Sequence, residues 1–294
     1  MDRYRVVRIM GGDITVTDGE KSYDCISKGN LKKSSKVCVG DYVKISENNY
    51  SKGTYVIDKV LPRKNQLIRP NVTNIDQLVI VLATTPQPDL SLIDKLIIFA
   101  ELNDISPILV INKVDISNET EIQNLVLQYK DVVKEIIVIS AKNNIGIENL
   151  KLVLKGKFSA LAGQSAVGKS TLINALDSNL NLDTNGLSEK ISRGKHTTRH
   201  SEIYKIDDIL IADTPGFSML EIDKISYDDL HYYYKDFAPY FTECKFSGCT
   251  HINCTADNCE VVKNVKNGKI HLERYQRYCK MYNDMKEKWR EKYD

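Results

Sequence analysis

Hydrophobic and polar positions change rhythm twice along the chain. Over residues 1–70 apolar positions alternate with polar ones in short runs closed by turn residues. Tyr4–Met10 ends at Gly11-Gly12, Asp13–Thr17 ends at Asp18-Gly19, and Ser22–Ser27 runs into a basic stretch from Lys28 to Lys36. Val37–Ile45, broken at Gly40-Asp41, and Gly53–Val60 follow. A period of two is that of a strand with one buried face, and Asp-Gly between two such runs is a strong hairpin signal. About five short strands in this span predict a small closed β-barrel of the OB-fold type. Leu61-Pro62-Arg63-Lys64-Asn65 reads as the linker that leaves it.

From residue 71 the texture becomes strand–helix alternation. Gln77–Ala83 is a near-continuous apolar run, as in a parallel strand covered on both faces. Asp89–Leu102 carries Leu92, Ile93, Leu96, Ile97 and Ala100 at helical spacing, and Asn118–Val133 does so with Ile122, Leu125, Val126 and Tyr129. Strands are predicted at Pro107–Ile111, Ile136–Ile139, Lys157–Ala162, Ile203–Ile206 and Ile209–Ala212, with helices at Ile147–Leu154 and Ser170–Leu176. This order predicts a doubly wound α/β sheet. Beyond residue 223 the pattern changes again: aromatic residues cluster at Tyr232–Phe241, cysteines at 244–259, and a last helix, His271–Tyr293, puts Tyr275, Tyr278, Tyr282, Met285 and Trp289 on one face. That stripe reads as packing. The predicted domains are a barrel over 1–70, an α/β body over 71–223 and a mainly helical module over 224–294.

Charge sharpens this division. Residues 1–70 hold 14 Lys and Arg against 8 Asp and Glu, residues 71–223 hold 14 against 20, and residues 224–294 hold 13 against 11, within a net of +2 for the chain. A basic barrel beside an acidic body suits an RNA-binding appendage on an enzyme. Lys28, Lys32, Lys33, Lys36, Arg63 and Lys64 are its candidate contacts; a ligand-free structural barrel is the alternative. No run of about eighteen uncharged apolar residues points to a membrane span. Met1-Asp2-Arg3-Tyr4-Arg5 leads into no apolar stretch with a cleavage site, so the expected compartment is the cytoplasm. The seven cysteines then read as thiols or metal ligands rather than disulfides.

Gly163-Gln164-Ser165-Ala166-Val167-Gly168-Lys169-Ser170 spells G-x-x-x-x-G-K-S between a predicted strand and a predicted helix, the context a phosphate-binding loop needs. The glycines let backbone N–H groups wrap phosphate oxygens, and the helix adds its positive N-terminus. Lys169 would reach the β- and γ-phosphates, the Ser170 hydroxyl would ligate Mg²⁺, and Thr171 completes the phosphate set. Asn112-Lys113-Val114-Asp115 follows a strand and matches N-K-x-D, where the carboxylate accepts from guanine N1–H and the exocyclic amine, a pair adenine does not offer. Ser140-Ala141-Lys142 follows the next strand, where such enzymes offer a backbone N–H to the guanine oxygen. Asp213-Thr214-Pro215-Gly216 matches D-x-x-G, with Asp213 near the Mg²⁺ shell and the Gly216 N–H on the γ-phosphate. Thr198, with Thr197 as the alternative, is the switch threonine expected on Mg²⁺ and the γ-phosphate.

The order of these motifs is inverted. Base-reading motifs come first and phosphate motifs last, which requires joined ancestral termini and an opening elsewhere, with helix 147–154 as the joining element. Position 217 is Phe, where many GTPases hold a water-orienting Gln, so hydrolysis by the chain alone should be slow. His196 in the switch segment is the candidate to orient water instead. Cys244-x₄-Cys249-x-His251-x₇-Cys259 has the ligand types of a closed structural Zn²⁺ site, with Cys254 lying inside the last gap.

The barrel, the segment Arg69-Pro70-Asn71-Val72-Thr73-Asn74-Ile75-Asp76-Gln77, the permuted order, Gly194-Lys195-His196-Thr197-Thr198 and the cysteine cluster together resemble the circularly permuted small ribosomal subunit biogenesis GTPases (the ribosome small subunit-dependent GTPase A family) over essentially the whole chain. The resemblance implies a GTP hydrolase that binds the 30S subunit and 16S rRNA, is stimulated by the subunit, and assists late maturation and assembly-factor release. It points to His196 as catalytic beside Thr198 and Lys169. It implies one structural Zn²⁺ and favours Cys259 over Cys254 as the fourth ligand, because Glu260-Val261-Val262-Lys263 and Gly268-Lys269-Ile270 continue as the family does. The family spaces its His and last Cys by five residues; here the gap is seven. A monomer with GTP/GDP and the ribosome as partners, and no membrane, is expected. The competing reading is a nucleotide-switched RNA- or protein-binding module whose hydrolysis is incidental.

Overall fold

The computed structural model describes residues 3–10, 12–27, 36–48, 53–67, 71–177, 180, 202–213, 222 and 225–293. Lys28, Lys32, Lys33, Arg69, Pro70, His196, Thr197, Thr198, Gly216 and Phe217 lie outside the described residues.

Five strands, β1 (Tyr4–Met10), β2 (Asp13–Thr17), β3 (Ser22–Ser27), β4 (Tyr42–Glu47) and β5 (Tyr55–Val60), close into a barrel in the order β1-β2-β3-β5-β4-β1. All pairs are antiparallel except β3 with β5. Register shifts between Val6 and Arg8, and between Lys44 and Ile45, supply the bends that closure needs. Val6, Val16, Cys25, Val43 and Ile57 fill the interior. The strand expected from Val37 starts only at Tyr42, because Gly40 and Asp41 turn aside: the Gly40 N–H donates to the Val6 carbonyl and the Val6 N–H to the Asp41 carbonyl.

The central sheet continues from the barrel through a single antiparallel register pair, Arg8 with Glu202. Its strands are β6 (Gln77–Ala83), β7 (Ser106–Asn112), β8 (Glu135–Val138), β9 (Phe158–Ala162), β10 (Glu202–Ile206) and β11 (Ile209–Asp213), in the spatial order β10-β11-β9-β6-β7-β8. Only β10 runs antiparallel to its neighbour. Every residue of β6 and β9 is buried, as the continuous apolar runs require. Alternate β6 residues face opposite layers. Leu78, Ile80 and Leu82 meet α1 (Leu90–Leu102) and α2 (Glu119–Tyr129); Val79, Val81 and Ala83 meet α3 (Ile147–Leu154) and α4 (Lys169–Leu176). Helix α3 carries the chain from edge strand β8 to central strand β9, the connection that makes the motif order inverted in sequence and ordinary in space.

The C-terminal module holds 3₁₀ turns at Tyr227–Tyr233 and Ala238–Glu243, then α5 (Glu260–Lys266) and α6 (Leu272–Tyr293). Tyr234, Phe237, Val261, Ile270 and Tyr278 form its core, and Ile98 of α1 belongs to the same cluster. The aromatic stripe of α6 is packing: Tyr278 and Tyr282 are buried, and only toward the end does Trp289 emerge. Among the described residues no helix is long and apolar enough to cross a membrane.

Two buried polar joints hold the outer modules to the sheet. Asp41, fully buried, accepts from Arg63 Nε at 2.7 Å, Arg63 Nη2 at 2.8 Å, Thr73 Oγ1 at 2.8 Å and the Cys38 N–H at 2.8 Å. Asn65 exchanges two hydrogen bonds with the backbone of Ile75, and Leu67 is buried, so the expected linker is a packed strap. Arg63 was expected among the RNA contacts; its guanidinium is instead committed to Asp41, Gln66 and the Lys36 carbonyl. Lys64 faces Asp76 at 3.6 Å with both side chains partly exposed. On the other side, Asp94 of α1 accepts from Arg274, from Arg277 Nε at 2.6 Å and from Tyr129 Oη at 3.0 Å. Arg274 also donates to Asp236 at 3.0 Å and lies over the rings of Tyr234 and Tyr129.

Candidate functional site

The carboxyl ends of β9, β6 and β7 and the loop after β8 converge on one corner of the sheet. The loop after β9 makes the turn G-x-x-x-x-G-K-S. Gly163 has φ +134°, and a Cβ there would stand 2.1 Å from the Val81 carbonyl oxygen; Gly168 has φ +93°, and a Cβ would stand 2.5 Å from Asn112 Nδ2. Both glycines are therefore set by close approach to neighbouring strand ends as well as by backbone angle. Ser165 and Ala166 form the exposed tip, with Ala166 at φ +63°, while Val167 is buried under the loop. Lys169 opens α4, and its Nζ donates to the Gly163 and Gln164 carbonyls at 2.9 and 2.7 Å, folded along the inside of the loop. Ser170 and Thr171 occupy the first turn of α4, where backbone N–H groups have no intrahelical partner.

Asn112 is the pin of this corner. It is buried at the end of β7; its Nδ2 donates to the Val167 carbonyl at 2.9 Å, and its Oδ1 accepts the Ala141 N–H at 3.0 Å. One side chain thus ties the phosphate-type loop, the N-K-V-D turn and the S-A-K turn together. Lys113 sits in the left-handed region at φ +65°, donating from Nζ to the Thr85 carbonyl at 3.0 Å, which turns the chain into the 3₁₀ turn Val114–Ile116. There Asp115 is exposed, and its Oδ1 accepts from Ser140 Oγ at 2.6 Å. Ser140 Oγ in turn accepts the Asn143 N–H at 3.2 Å, so a buried hydroxyl orients an exposed carboxylate. The Ala141 N–H already has Asn112 as acceptor; an incoming carbonyl oxygen would share or replace it. Lys142 follows on the exposed side of this turn. Asp213 ends β11 and pairs in register with Glu202.

Periodicity did not reveal a clamp between the phosphate-type loop and α1. Gln164 Oε1 accepts the Asp89 N–H at 3.0 Å, and its Nε2 donates to the Gln87 carbonyl at 3.3 Å. Asp89 is also the N-cap of α1 through the Leu92 N–H. The only sequence signal was an Asp before an apolar helical run.

A second constellation lies in the C-terminal module. The ligand atoms of Cys244, Cys249, His251 and Cys259 all lie within 4.8 Å of one another. Sγ of Cys244 and of Cys249 each stand 3.9 Å from Sγ of Cys259, and His251 Nδ1 stands 3.7 and 3.4 Å from Cys244 and Cys259. A tetrahedron with Zn–S near 2.3 Å and Zn–N near 2.0 Å has S–S edges of about 3.8 Å and N–S edges of about 3.5 Å. The donor set fits that geometry. Burial pulls the His251 pKa down to about 4, keeping the imidazole neutral and able to ligate, and burial raises the Cys259 thiol, so ionising it there needs a cation beside it. The knuckle is fixed from α6: Tyr275 Oη donates to the His251 carbonyl at 2.7 Å and Tyr278 Oη to the Thr250 carbonyl. Cys254 stands outside the four-group cluster, with its Sγ 3.6 Å from that of Cys249.

A model of the RsgA GTPase family matches residues 60–223. The chain is 38% identical over 97% of its length to the small ribosomal subunit biogenesis GTPase RsgA of Alkaliphilus metalliredigens, covering 98% of that protein. It is 39% identical over 98% of its length to the protein of the same name from Caldanaerobacter subterraneus subsp. tengcongensis, covering 97% of it. Among solved structures it is similar to YjeQ from Thermotoga maritima, with a TM-score of 0.82 at 35% identity over 96% of this chain and 98% of that one. It is also similar to YloQ, described as a circularly permuted GTPase, with a TM-score of 0.79 at 28% identity over 98% and 96% of the two chains.

Proposed function

This chain belongs to the RsgA GTPase family and is a GTP hydrolase, and from that membership we propose a working cycle in which it binds GTP at the corner of β6, β7 and β9 and turns it over in the service of small ribosomal subunit biogenesis. The observation that carries the assignment of the site is Asn112, whose single side chain joins the loop 163–170 to the loop 140–142. In this reading Asp115, Val114 and Lys113 read and flank the base, and Ser140, Ala141 and Lys142 cover its oxygen edge. Gly163 through Gly168 wrap the phosphates, Lys169 leaves its loop carbonyls for the β- and γ-phosphates, and Ser170, Thr171, Asp213 and Gly216 complete the phosphate and Mg²⁺ environment. A bound Mg²⁺ supplies charge neutralisation at the β- and γ-oxygens. Lys169 and the α4 N-terminus hold that charge from the protein side, and the hydroxyl of Ser170, with that of Thr198, holds the cation.

With Phe at 217, this chain has no amide there to orient water, so turnover is slow until the small subunit fixes the switch segment and His196 takes that role. The Cys244, Cys249, His251 and Cys259 set holds one structural Zn²⁺ with no open position. The basic barrel contacts 16S rRNA, and the protein acts as a cytoplasmic monomer. The test is GTP turnover of the wild type and His196→Ala with and without purified 30S subunits. Strong stimulation of the wild type by 30S, absent with unrelated RNA and lost in H196A, is expected. Equal turnover with and without 30S would return the chain to a nucleotide-switched binding module.

A further inference from the structure

The metal knuckle holds one thiol more than its shell can use. Four groups fill a tetrahedron, and Cys254 is the fifth candidate, half-buried, with its Sγ 3.6 Å from Cys249 Sγ and 3.4 Å from the Ile252 carbonyl oxygen. A disulfide needs an S–S separation of about 2.05 Å, so the two sulfurs must close by only about 1.5 Å. The remaining cysteines are elsewhere: Cys25 is in the barrel core, Cys38 in the Asp41 joint and Cys279 on α6. Cys254 is thus a thiol beside the shell but outside it, held against one of its ligands.

We propose that Cys249 and Cys254 form a peroxide-operated release for the zinc, Cys249 as the ligand that is oxidised and Cys254 as the thiol that resolves it. The inference rests on the zinc reading given above. The oxidant is hydrogen peroxide. The zinc-bound Cys249 thiolate attacks the peroxide O–O bond, giving a sulfenic acid at Cys249 and one hydroxide. The Cys254 thiol then attacks the sulfenic sulfur; the S–S bond forms, the S–O bond breaks, and the hydroxyl leaves with the Cys254 proton as water. Two thiol sulfurs lose two electrons and the peroxide gains them. The shell is left with Cys244, His251 and Cys259, three ligands where four held the metal. A reductant of the dithiol class reverses the bond. In a reducing compartment such a disulfide is transient, as redox-sensing disulfides are. What the release loosens is the loop whose Thr250 and His251 carbonyls anchor Tyr278 and Tyr275 of α6.

The experiment uses the full chain loaded with zinc. Zinc content is measured first for the wild type and for Cys254→Ser. Hydrogen peroxide is then added, release is followed with a chromogenic zinc chelator, and non-reduced peptides are mapped by mass spectrometry. We expect one zinc per chain in both proteins, a Cys249–Cys254 disulfide in the wild type, and release about tenfold slower in C254S, where every other thiol of the knuckle is a ligand. Dithiothreitol with added zinc restores the wild type. Absence of zinc from the wild type sinks the metal reading and the release with it. Zinc present in the wild type but missing from C254S makes Cys254 a ligand and overturns the proposal alone. Equal release rates, or a disulfide mapped to Cys244–Cys259 or Cys249–Cys259, overturn it as well.

Discussion

Asp94→Ala should detach the C-terminal module from the α/β body at a large cost in stability. Asp94 is 1% exposed and accepts three hydrogen bonds, from Arg274, Arg277 and Tyr129. Arg274 is equally buried. Burial alone would push its guanidinium toward losing its proton, and Asp94 with Asp236 overcome that and hold it cationic. The cluster is neutral as built, two carboxylates against two guanidiniums. Removing Asp94 leaves one positive charge unbalanced in a dry site, a change that costs about 3–5 kcal/mol. Total stabilities run at about 5–15 kcal/mol, so the loss is a large share. In urea, with a slope of about 2 kcal/mol per molar, the midpoint should fall by about 2 M. Trp289, the single tryptophan, packs 5.8 Å from Tyr227 and reports the C-terminal module by fluorescence, while far-UV circular dichroism reports the whole chain. The double variant D94A/R277M restores the charge balance and should recover part of the loss. A D94A midpoint within about 0.3 M of the wild type would refute the reasoning, because it would mean that the buried guanidinium does not need its carboxylate.

Asp115→Asn should lower GTP affinity by about 10²–10⁴-fold, since two hydrogen bonds to a charged group are worth about 1.5–3 kcal/mol each. It should also gain binding to xanthosine triphosphate, whose 2-oxo group accepts from the new amide; competition binding checks both. Gly168→Ala places a Cβ 2.5 Å from Asn112 Nδ2, and it should abolish tight nucleotide binding while leaving the circular dichroism spectrum unchanged. Zinc affinity should fall as pH falls, because binding needs deprotonated thiols and burial already raises the Cys259 thiol; protons therefore compete more strongly at pH 6 than at pH 8, by up to about tenfold per unit for each proton released. A chelator titration at the two pH values measures this, and equal affinities would contradict it.

What the sequence made legible was whatever depends on neighbours in the chain. The Asp18-Gly19 turn, the buried run Gln77–Ala83 and the glycines of the loop 163–168 each follow from local spacing. Asp94 did not, because it sits on a helix among Ile93, Leu96 and Ile97 and reads there as an ordinary polar position, while Arg274 comes 180 residues later. Arg63 misled for the same reason: a Lys/Arg pair near a basic barrel looks like a free cationic patch until the fold brings Asp41, 22 residues back, against it. The onset of β4 failed at Gly40-Asp41 because alternation continues through a segment whose backbone is claimed by Val6. The four metal-type ligands were legible as a set; spacing alone allows either Cys254 or Cys259, the family resemblance favoured Cys259, and the folded loop puts Cys259 beside His251.

The placement of the two hidden joints explains how a permuted sheet can carry a module at each end. The barrel interior and the core of the C-terminal module each close largely on themselves, with Ile98 and Leu102 of α1 the main apolar link from the sheet to the latter. Apolar contact of that kind tolerates sliding, because dispersion and burial are not directional. A carboxylate with three or four defined donors does not slide. Asp41 takes Nε and Nη2 of Arg63, Thr73 and a backbone N–H, and Asp94 takes two arginines and a tyrosine. Each joint is thus weak in net energy when intact and expensive when mispaired, which makes it a device for orientation more than for adhesion. Asp94 lies on the same helix whose Asp89 N–H is held by Gln164, five residues or about 7.5 Å along the axis. One rigid element therefore fixes the angle of the C-terminal module relative to the loop 163–170, without relying on the chain that leaves β11.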